Sequence, residues 1–121
     1  MNKIILLLLF VSGCSHFQKA AWVFSSNPYA DDPASAQRGK MVYQKQCLSC
    51  HGKSGLGDGP NSKNLKTTPA NLIDLANNHW DSTFAARVAY GKSSNEEMPR
   101  FVDSLTEQEI WDVTNYIYSL K

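Results

Sequence analysis

The clearest hydrophobic pattern lies at the C-terminal end of the chain. Four apolar residues recur there at helical spacing and would share one face of a helix: Ile110, Val113, Ile117 and Leu120. Just before them, Thr106 and Glu109 form a T-x-x-E capping box, and Leu105 is placed to contact Ile110 as a hydrophobic staple. The pattern therefore predicts a final helix that starts after Thr106 and buries one apolar stripe.

A second helix is predicted near the start of the folded part. Asp32 is a suitable N-cap, and Pro33 suits the first helical position because its missing N–H is not needed there. Small and aromatic residues then follow at helical spacing: Ala36, Gly39 and Tyr43. Glycine inside a helix costs ~1 kcal/mol relative to alanine. Gly39 therefore indicates that another helix comes close at this point.

A third helix is predicted to start at Asp81 or Ser82 and to end at about Tyr90, where a glycine follows. Its inward-facing residues would be Phe84, Ala85 and Val88. Glycine and proline interrupt 52–69, and 92–103 shows no period, so both segments are predicted as loops. No strand pattern occurs. We therefore expect one all-α domain, whose long loops would make sense around a large apolar cofactor.

The first residues have a different character. Lys3 gives a short positive end, and 4–11 is an unbroken apolar run, shorter than the ~20 residues that span a bilayer. Such a run suits the apolar core of an export signal. Small residues lead up to Cys14, and this segment resembles the lipobox of bacterial lipoproteins. The resemblance implies a signal peptide over 1–13 and a lipid on Cys14; the alternatives are a plain signal peptide with an incidental cysteine, or a short uncleaved anchor.

The segment 14–32 shows no sustained period and is predicted to be a tether between the membrane and a domain at 33–121. Three of its residues could instead pack on the domain or lie at the lipid surface: Trp22, Val23 and Phe24.

The chain has 121 residues, enough for one domain, and its formal net charge is +1. Proteins that bind nucleic acid usually show a strong basic excess, so we do not expect that class of partner.

The chemistry of the chain centres on Cys47, Leu48, Ser49, Cys50 and His51, which form the motif C-x-x-C-H. This motif is the signature of covalent c-type haem attachment. Residues three apart lie on one helical face, so both thiols can reach one edge of a porphyrin, and His51 follows as the iron ligand. A redox disulfide or half of a zinc site are the alternatives. The zinc site would need a second cysteine pair, which is missing.

The second axial ligand has to come from far along the chain. Met98 lies in the predicted loop before the last helix, and its neutral thioether would raise the reduction potential. Met41 lies on the attachment helix just before the motif, so it cannot easily reach the opposite haem face. His79 and His16 are further alternatives, and an open sixth site is the remaining one. Met98 is the predicted ligand.

This ordered set of motifs resembles the class I cytochrome c family. The matching segments fall within about 34–121: Gly39 and Tyr43, C-L-S-C-H at 47–51, G-x-G-D-G-P at 55–60, M-P-x-F at 98–101, and L-T-E-x-E-I-W at 105–111 with Tyr116. The resemblance implies a cytochrome c-like fold in which the first and last helices cross at Gly39. It also implies that a proline carbonyl accepts the N–H of His51, with Pro60 as the predicted residue and Pro69 as the alternative.

The resemblance further implies an electron-transfer protein rather than an enzyme. One haem c would be bound through Cys47 and Cys50, and its iron would cycle between Fe(III) and Fe(II) with His51 and Met98 as ligands. The expected partners are an oxidase, a reductase or a dehydrogenase. The lipid on Cys14 would hold the domain at a membrane of the bacterial cell envelope, facing the periplasm. The other functions considered are a haem sensor or peroxidase-like enzyme with an open iron site, and a cytochrome subunit that anchors a respiratory complex.

Overall fold

The computed structural model describes residues 14–92 and 97–121, and within them the chain is helical with no strand. Six α-helices follow one another in these residues: α1 (Cys14–Val23), α2 (Ser35–Gln46), α3 (Leu48–His51), α4 (Leu72–Asn78), α5 (Asp81–Tyr90) and α6 (Glu107–Tyr118). Short 3₁₀ turns lie at Ser62–Asn64 and Phe101–Asp103. The prediction of an all-α fold is confirmed.

Helices α2 and α6 cross in close contact, with Gly39 at the crossing point. A Cβ atom at Gly39 would overlap the carbonyl group of Asp112 in α6, so no larger residue fits there without a shift of the helices. Beside this point the rings of Tyr43 and Tyr116 lie 5.3 Å apart between centroids. The first and last helices of the domain therefore cross at a glycine with an aromatic pair beside it, which agrees with the cytochrome c-like arrangement.

Helix α6 begins as its capping box predicts. The N–H of Thr106 donates to Glu109 Oε2 at 2.8 Å, and the N–H of Glu109 donates to Thr106 Oγ1 at 3.2 Å. Leu120 is half-buried beyond the helix end, and the other three residues of the predicted stripe are buried: Ile110, Val113 and Ile117. Trp111 is fully buried as well, because α1 covers it on a second side. The helix thus has a wider apolar face than the stripe alone indicated.

The prediction of a tether over 14–32 is wrong for the described part of this segment. Trp22, near the end of α1, stacks on Trp111 with 5.3 Å between the ring centroids. The hydroxyl of Ser82 in α5 donates to the carbonyl of Val23 at 3.0 Å. Because the indole surface is removed from water and the helix end is hydrogen-bonded, this end of α1 is part of the packed domain.

The turn after α1 is also held on the domain. The side-chain amide of Asn27 donates to Asn115 Oδ1 at 2.7 Å and to Asp81 Oδ2 at 3.1 Å. Phe24, by contrast, is 87% exposed, whereas Trp22 and Val23 are half-buried. The predicted signal peptide over 1–13 lies outside the described residues.

A short helix that the sequence pattern did not predict, α4, precedes α5. Asn71 caps it, because its Oδ1 accepts the N–H groups of Ile73 at 3.0 Å and Asp74 at 3.2 Å. Leu72 and Ala76 are buried against the core. At seven residues the helix is too short for a hydrophobic period to be recognised in the sequence.

The boundaries of the other helices lie close to those predicted. Helix α2 starts at Ser35 rather than directly after Asp32, although Asp32 Oδ1 still accepts the N–H of Ala34 at 2.9 Å. Helix α5 spans the predicted residues, and Gly91 follows it with a φ of 66°, a conformation that residues with a side chain rarely adopt. No helix within 14–92 or 97–121 is long and apolar enough to cross a bilayer.

Candidate functional site

The two cysteines of the motif lie at the junction between α2 and α3. Cys47 connects the two helices and is only 8% exposed, and Cys50 lies one turn later in α3 and is half-buried. Both carry free thiols, and both line one cavity. The helical turn therefore brings the two cysteines to the same cavity, as their spacing predicts.

His51 ends α3 and lines the same cavity, with 7% of its surface exposed. Its Nδ1 lies 3.0 Å from the carbonyl oxygen of Ala70. A carbonyl only accepts hydrogen bonds, so Nδ1 carries the proton and donates, and Nε2 keeps its lone pair. Burial lowers the pKa of His51, which favours the neutral ring. The imidazole is thus prepared to bind a metal ion through Nε2.

The prediction that Pro60 accepts the His51 proton is wrong. Pro60 is exposed and does not line the cavity, whereas Pro69 does line it and precedes the true acceptor, Ala70. The N–H of Gly57 donates to the carbonyl of His51 at 2.8 Å, and this tight turn lies against the backbone of Pro69. Every residue has the same backbone carbonyl group, whatever its side chain. The acceptor of the His51 proton could therefore not be recognised from residue type.

The cavity measures about 230 Å³, and its walls are mainly apolar. Six apolar residues from four parts of the chain contribute to it: Leu65, Leu72, Leu75, Phe84, Val88 and Phe101. Met98 also lines it and is half-buried, so the structure brings Met98 together with both cysteines and His51. These contributions come from loops and helices that lie far apart in the sequence.

Two of the alternative iron ligands, Met41 and His79, do not line the cavity, and the side chain of the third, His16, lies outside the described part of the chain. Met41 is 58% exposed and does not line the cavity. His79 is also outside its walls, and its Nδ1 donates to the carbonyl of Leu75 at 2.9 Å, so it acts locally at the end of α4. The side chains of Cys14 and His16 lie outside the described part of the chain, although both residues belong to α1.

Several polar groups stand at the rim of the cavity. Arg87 and Lys92 are its cationic residues, and neither side chain donates a hydrogen bond or forms an ion pair within the residues that the structure describes. The carboxylate of Glu97 accepts the backbone N–H groups of Lys66 and Thr67, each at 3.0 Å. These two hydrogen bonds lower the pKa of Glu97. Sequence reasoning missed this carboxylate, because a glutamate in a polar loop carries no distinctive signal.

The residues at the site distinguish the three interpretations of the motif, which are haem attachment, a redox disulfide and half of a zinc site. Burial, with a smaller contribution from Cys50, raises the pKa of Cys47 to about 12, whereas redox-active cysteines of C-x-x-C motifs have lowered values. Within the described residues no three His, Cys, Asp or Glu side chains cluster as a metal site, which argues against zinc. Two cysteines and a neutral imidazole that line one apolar cavity fit a covalently bound haem.

An all-α domain whose C-x-x-C-H residues open into such a cavity is a c-type cytochrome domain. The chain belongs to the family described as "Cytochrome C oxidase, cbb3-type, subunit III", whose model matches residues 34–117. It is therefore an electron-transfer component rather than a catalytic enzyme by itself, and a domain of this class binds haem c covalently.

One relative is similar to this chain over part of its own length. The Cbb3-type cytochrome c oxidase subunit CcoP of Azospirillum brasilense is 25% identical to this chain over 108 residues. The aligned part covers 85% of this chain and 34% of that protein. The chain thus spans about a third of the length of this relative.

Proposed function

We propose that this protein is a single-haem electron carrier of the bacterial cell envelope. Cys47 and Cys50 would hold one haem c through thioether bonds, and His51 and Met98 would be its axial ligands. One observation carries the proposal: both thiols, the unprotonated Nε2 of His51 and the half-buried Met98 share a single apolar cavity.

The chain's own residues define how such a group would work. A bound haem supplies an iron that accepts and releases one electron. Ala70 holds the His51 ring in the tautomer that ligates, and this hydrogen bond increases the basicity of the ligand. The apolar walls exclude water, and the Met98 thioether favours the reduced iron, so both raise the reduction potential. Arg87 and Lys92 are the cationic groups available to the haem carboxylates.

We also propose that the domain is attached to a membrane through a lipid on Cys14, after removal of 1–13. The apolar run at 4–11 and the small residues before Cys14 support this proposal. Helix α1 begins at Cys14 and its far end packs on the domain through Trp22, so the lipid would lie within one short helix of the folded part. The domain would then stay close to the membrane surface and face the periplasm.

The partner is proposed to be a respiratory oxidase. Support comes from the similarity to an oxidase subunit in Azospirillum brasilense. Two relations to such a complex remain open in the proposal: a mobile carrier that docks on it, or a permanent cytochrome subunit. Purification from mild detergent distinguishes them, because a subunit co-purifies at a constant ratio to the oxidase and a carrier does not.

The test of haem attachment uses the protein exported and matured in a bacterial host. Intact mass together with a pyridine haemochrome spectrum should show one haem per chain, and the mass should also include the lipid on Cys14. Replacing both Cys47 and Cys50 by alanine should abolish covalent haem. A colourless mature protein with both thiols free, or joined to each other, would overturn the proposal.

The test of axial ligation compares Met98→Ala with Met41→Ala. Met98→Ala should remove the weak long-wavelength absorption of a thioether-ligated ferric haem, lower the reduction potential and allow rapid carbon monoxide binding to the reduced protein. Met41→Ala removes an exposed thioether outside the cavity and should leave all three unchanged. Rapid carbon monoxide binding by the unmodified protein would instead favour the haem sensor.

A further inference from the structure

A carboxylate next to Met98 joins two segments that are distant in the sequence. Glu97 Oε1 accepts the N–H of Lys66, and Glu97 Oε2 accepts the N–H of Thr67, both at 3.0 Å. The two segments are about thirty residues apart in the sequence, with separations of 31 and 30. Each oxygen of the carboxylate thus binds one backbone donor, an arrangement that fixes both the position and the orientation of the group.

Two of the three residues of this bridge, Thr67 and Glu97, belong to the cavity wall, whereas Lys66 does not line the cavity. Met98 lines the same cavity. Because Glu97 directly precedes Met98 in the chain, holding the carboxylate also restricts where the Met98 side chain can lie. The bridge therefore links two segments of the chain beside the residue proposed as the sixth ligand of the iron.

Met98 also packs against the apolar core, although the described residues around it form no helix or strand. It lies between α5 and the 3₁₀ turn at Phe101–Asp103, outside any regular element. Two residues after Met98, the guanidinium of Arg100 lies 5.6 Å from the ring centroid of Tyr90, a distance typical of a cation–π interaction. A neutral thioether is a weak ligand, so the fraction of ligated protein depends on how well this loop is held in place.

We propose that Glu97 is a positioning residue that holds Met98 on the haem iron by anchoring its loop to Lys66 and Thr67. The inference rests on the proposed function, since Met98 is a ligand only if that proposal holds. It predicts that the carboxylate changes ligand exchange at the iron without contacting the iron itself.

The experiment uses the mature holoprotein with Glu97→Ala and Glu97→Gln, and Glu107→Gln as control. Glu107 is an exposed residue of α6 that loses the same charge away from the cavity. Glu97→Ala should speed carbon monoxide binding to the reduced protein about tenfold, because two charge-assisted hydrogen bonds are lost. Glu97→Gln keeps one acceptor and should lie between Glu97→Ala and the unmodified protein. The control should bind at the original rate.

A second background shows whether the effect passes through Met98. In Met98→Ala protein the site is already open, so adding Glu97→Ala should not speed carbon monoxide binding further. An equal acceleration in both backgrounds would mean that Glu97 only controls access, and would overturn the inference. If Glu97→Ala and Glu97→Gln both bind at the original rate while Met98→Ala binds rapidly, the inference fails and the proposed ligation stands.

The remaining outcomes separate this inference from the proposed function. If Met98→Ala itself leaves binding and potential unchanged, Met98 is not a ligand and both proposals fail. Far-ultraviolet circular dichroism is recorded for each variant. Faster binding together with unchanged helical content supports a positioning role, whereas faster binding only in proportion to lost helix shows a structural role and contradicts the inference.

Discussion

Gly39 in α2 lies directly against the carbonyl group of Asp112 in α6, so that the backbones of the two helices touch where they cross. The same α6 residue accepts hydrogen bonds from α2 through its side chain. Ser35 Oγ donates to Asp112 Oδ1 at 2.6 Å, and Arg38 donates to both carboxylate oxygens at 2.8 Å. Close backbone contact and a buried polar network thus stabilise the same crossing.

Gly39→Ala should destabilise the protein by about 2 kcal/mol. Forcing an extra methyl group into a packed contact costs ~1–3 kcal/mol, here near the upper end because the neighbour is backbone. The gain in helix propensity of ~1 kcal/mol offsets part of this cost. Urea unfolding of the holoprotein measures the change, with exposed Lys40→Ala on the same helix as control. Equal stability of Gly39→Ala and the unmodified protein would contradict the crossing.

Asp112→Ala should cost about 3 kcal/mol of unfolding free energy. The carboxylate is 2% exposed, and its removal leaves Ser35 and Arg38 without their shared acceptor. Asp103→Ala is the matched control, because it breaks an exposed ion pair with Arg100 at 3.8 Å and should change stability by less than about 0.5 kcal/mol. Similar losses in the two variants would show that burial of the network has no special effect.

Trp22→Ala should release the N-terminal segment from the domain. Loss of the stacked, partly buried indole is expected to cost about 2 kcal/mol, below the range for fully buried aromatic residues. Limited proteolysis should then cleave between α1 and α2 faster than in the unmodified protein. Phe24→Ala removes a ring that is 87% exposed and should change neither stability nor cleavage. Unchanged cleavage in Trp22→Ala would mean that this end of α1 is not held by the stack.

Deprotonation of the Tyr118 hydroxyl should lower the stability of the protein at alkaline pH. Burial, with a contribution from Asp81, raises the pKa of Tyr118 to about 12, compared with 10.0 in an unperturbed tyrosine. Between these values the unfolded chain has lost a proton that the folded chain keeps. The stabilisation is therefore complete below pH 10 and is lost as the pH rises towards about 12.

The test of this prediction is Tyr118→Phe, followed by unfolding between pH 9 and about 12. The variant loses the hydrogen bond from the Tyr118 hydroxyl to the carbonyl of His79, 2.6 Å long, so it should be less stable at neutral pH. Its stability should also fall less steeply at alkaline pH than that of the unmodified protein. Tyr29→Phe serves as control, since the Tyr29 hydroxyl has no hydrogen-bond partner in the described residues. Parallel curves for Tyr118→Phe and the unmodified protein would refute the assignment.

The helices with strong local signals could be predicted from the sequence. The capping box at Thr106 and Glu109 and the apolar stripe after it correctly indicated α6. The cost of a glycine within α2 correctly indicated a close helix contact at Gly39. By contrast, α4 was missed because it is too short to show a period, and α1 was taken as part of a tether because its packing depends on Trp111.

The candidate site also contains features that the sequence predicted and features that it did not. The spacing of Cys47, Cys50 and His51 within one helical turn is a local property, so the residue types alone indicated covalent haem attachment. The acceptor of the His51 proton is not local, since it is the backbone carbonyl of Ala70, and the prediction of Pro60 was wrong. The convergence of Met98 on the same cavity likewise requires the chain to fold back over a long distance.

The amino-acid order specifies those features whose physical cause acts within about one helical turn: caps, apolar faces, and the attachment motif. Contacts between distant segments specify the rest, including the Ala70 carbonyl, the stack of Trp22 on Trp111 and the bridge from Glu97 to Lys66 and Thr67. Backbone carbonyl and N–H groups are nearly identical in every residue, so their partners become defined only when packing brings two segments together.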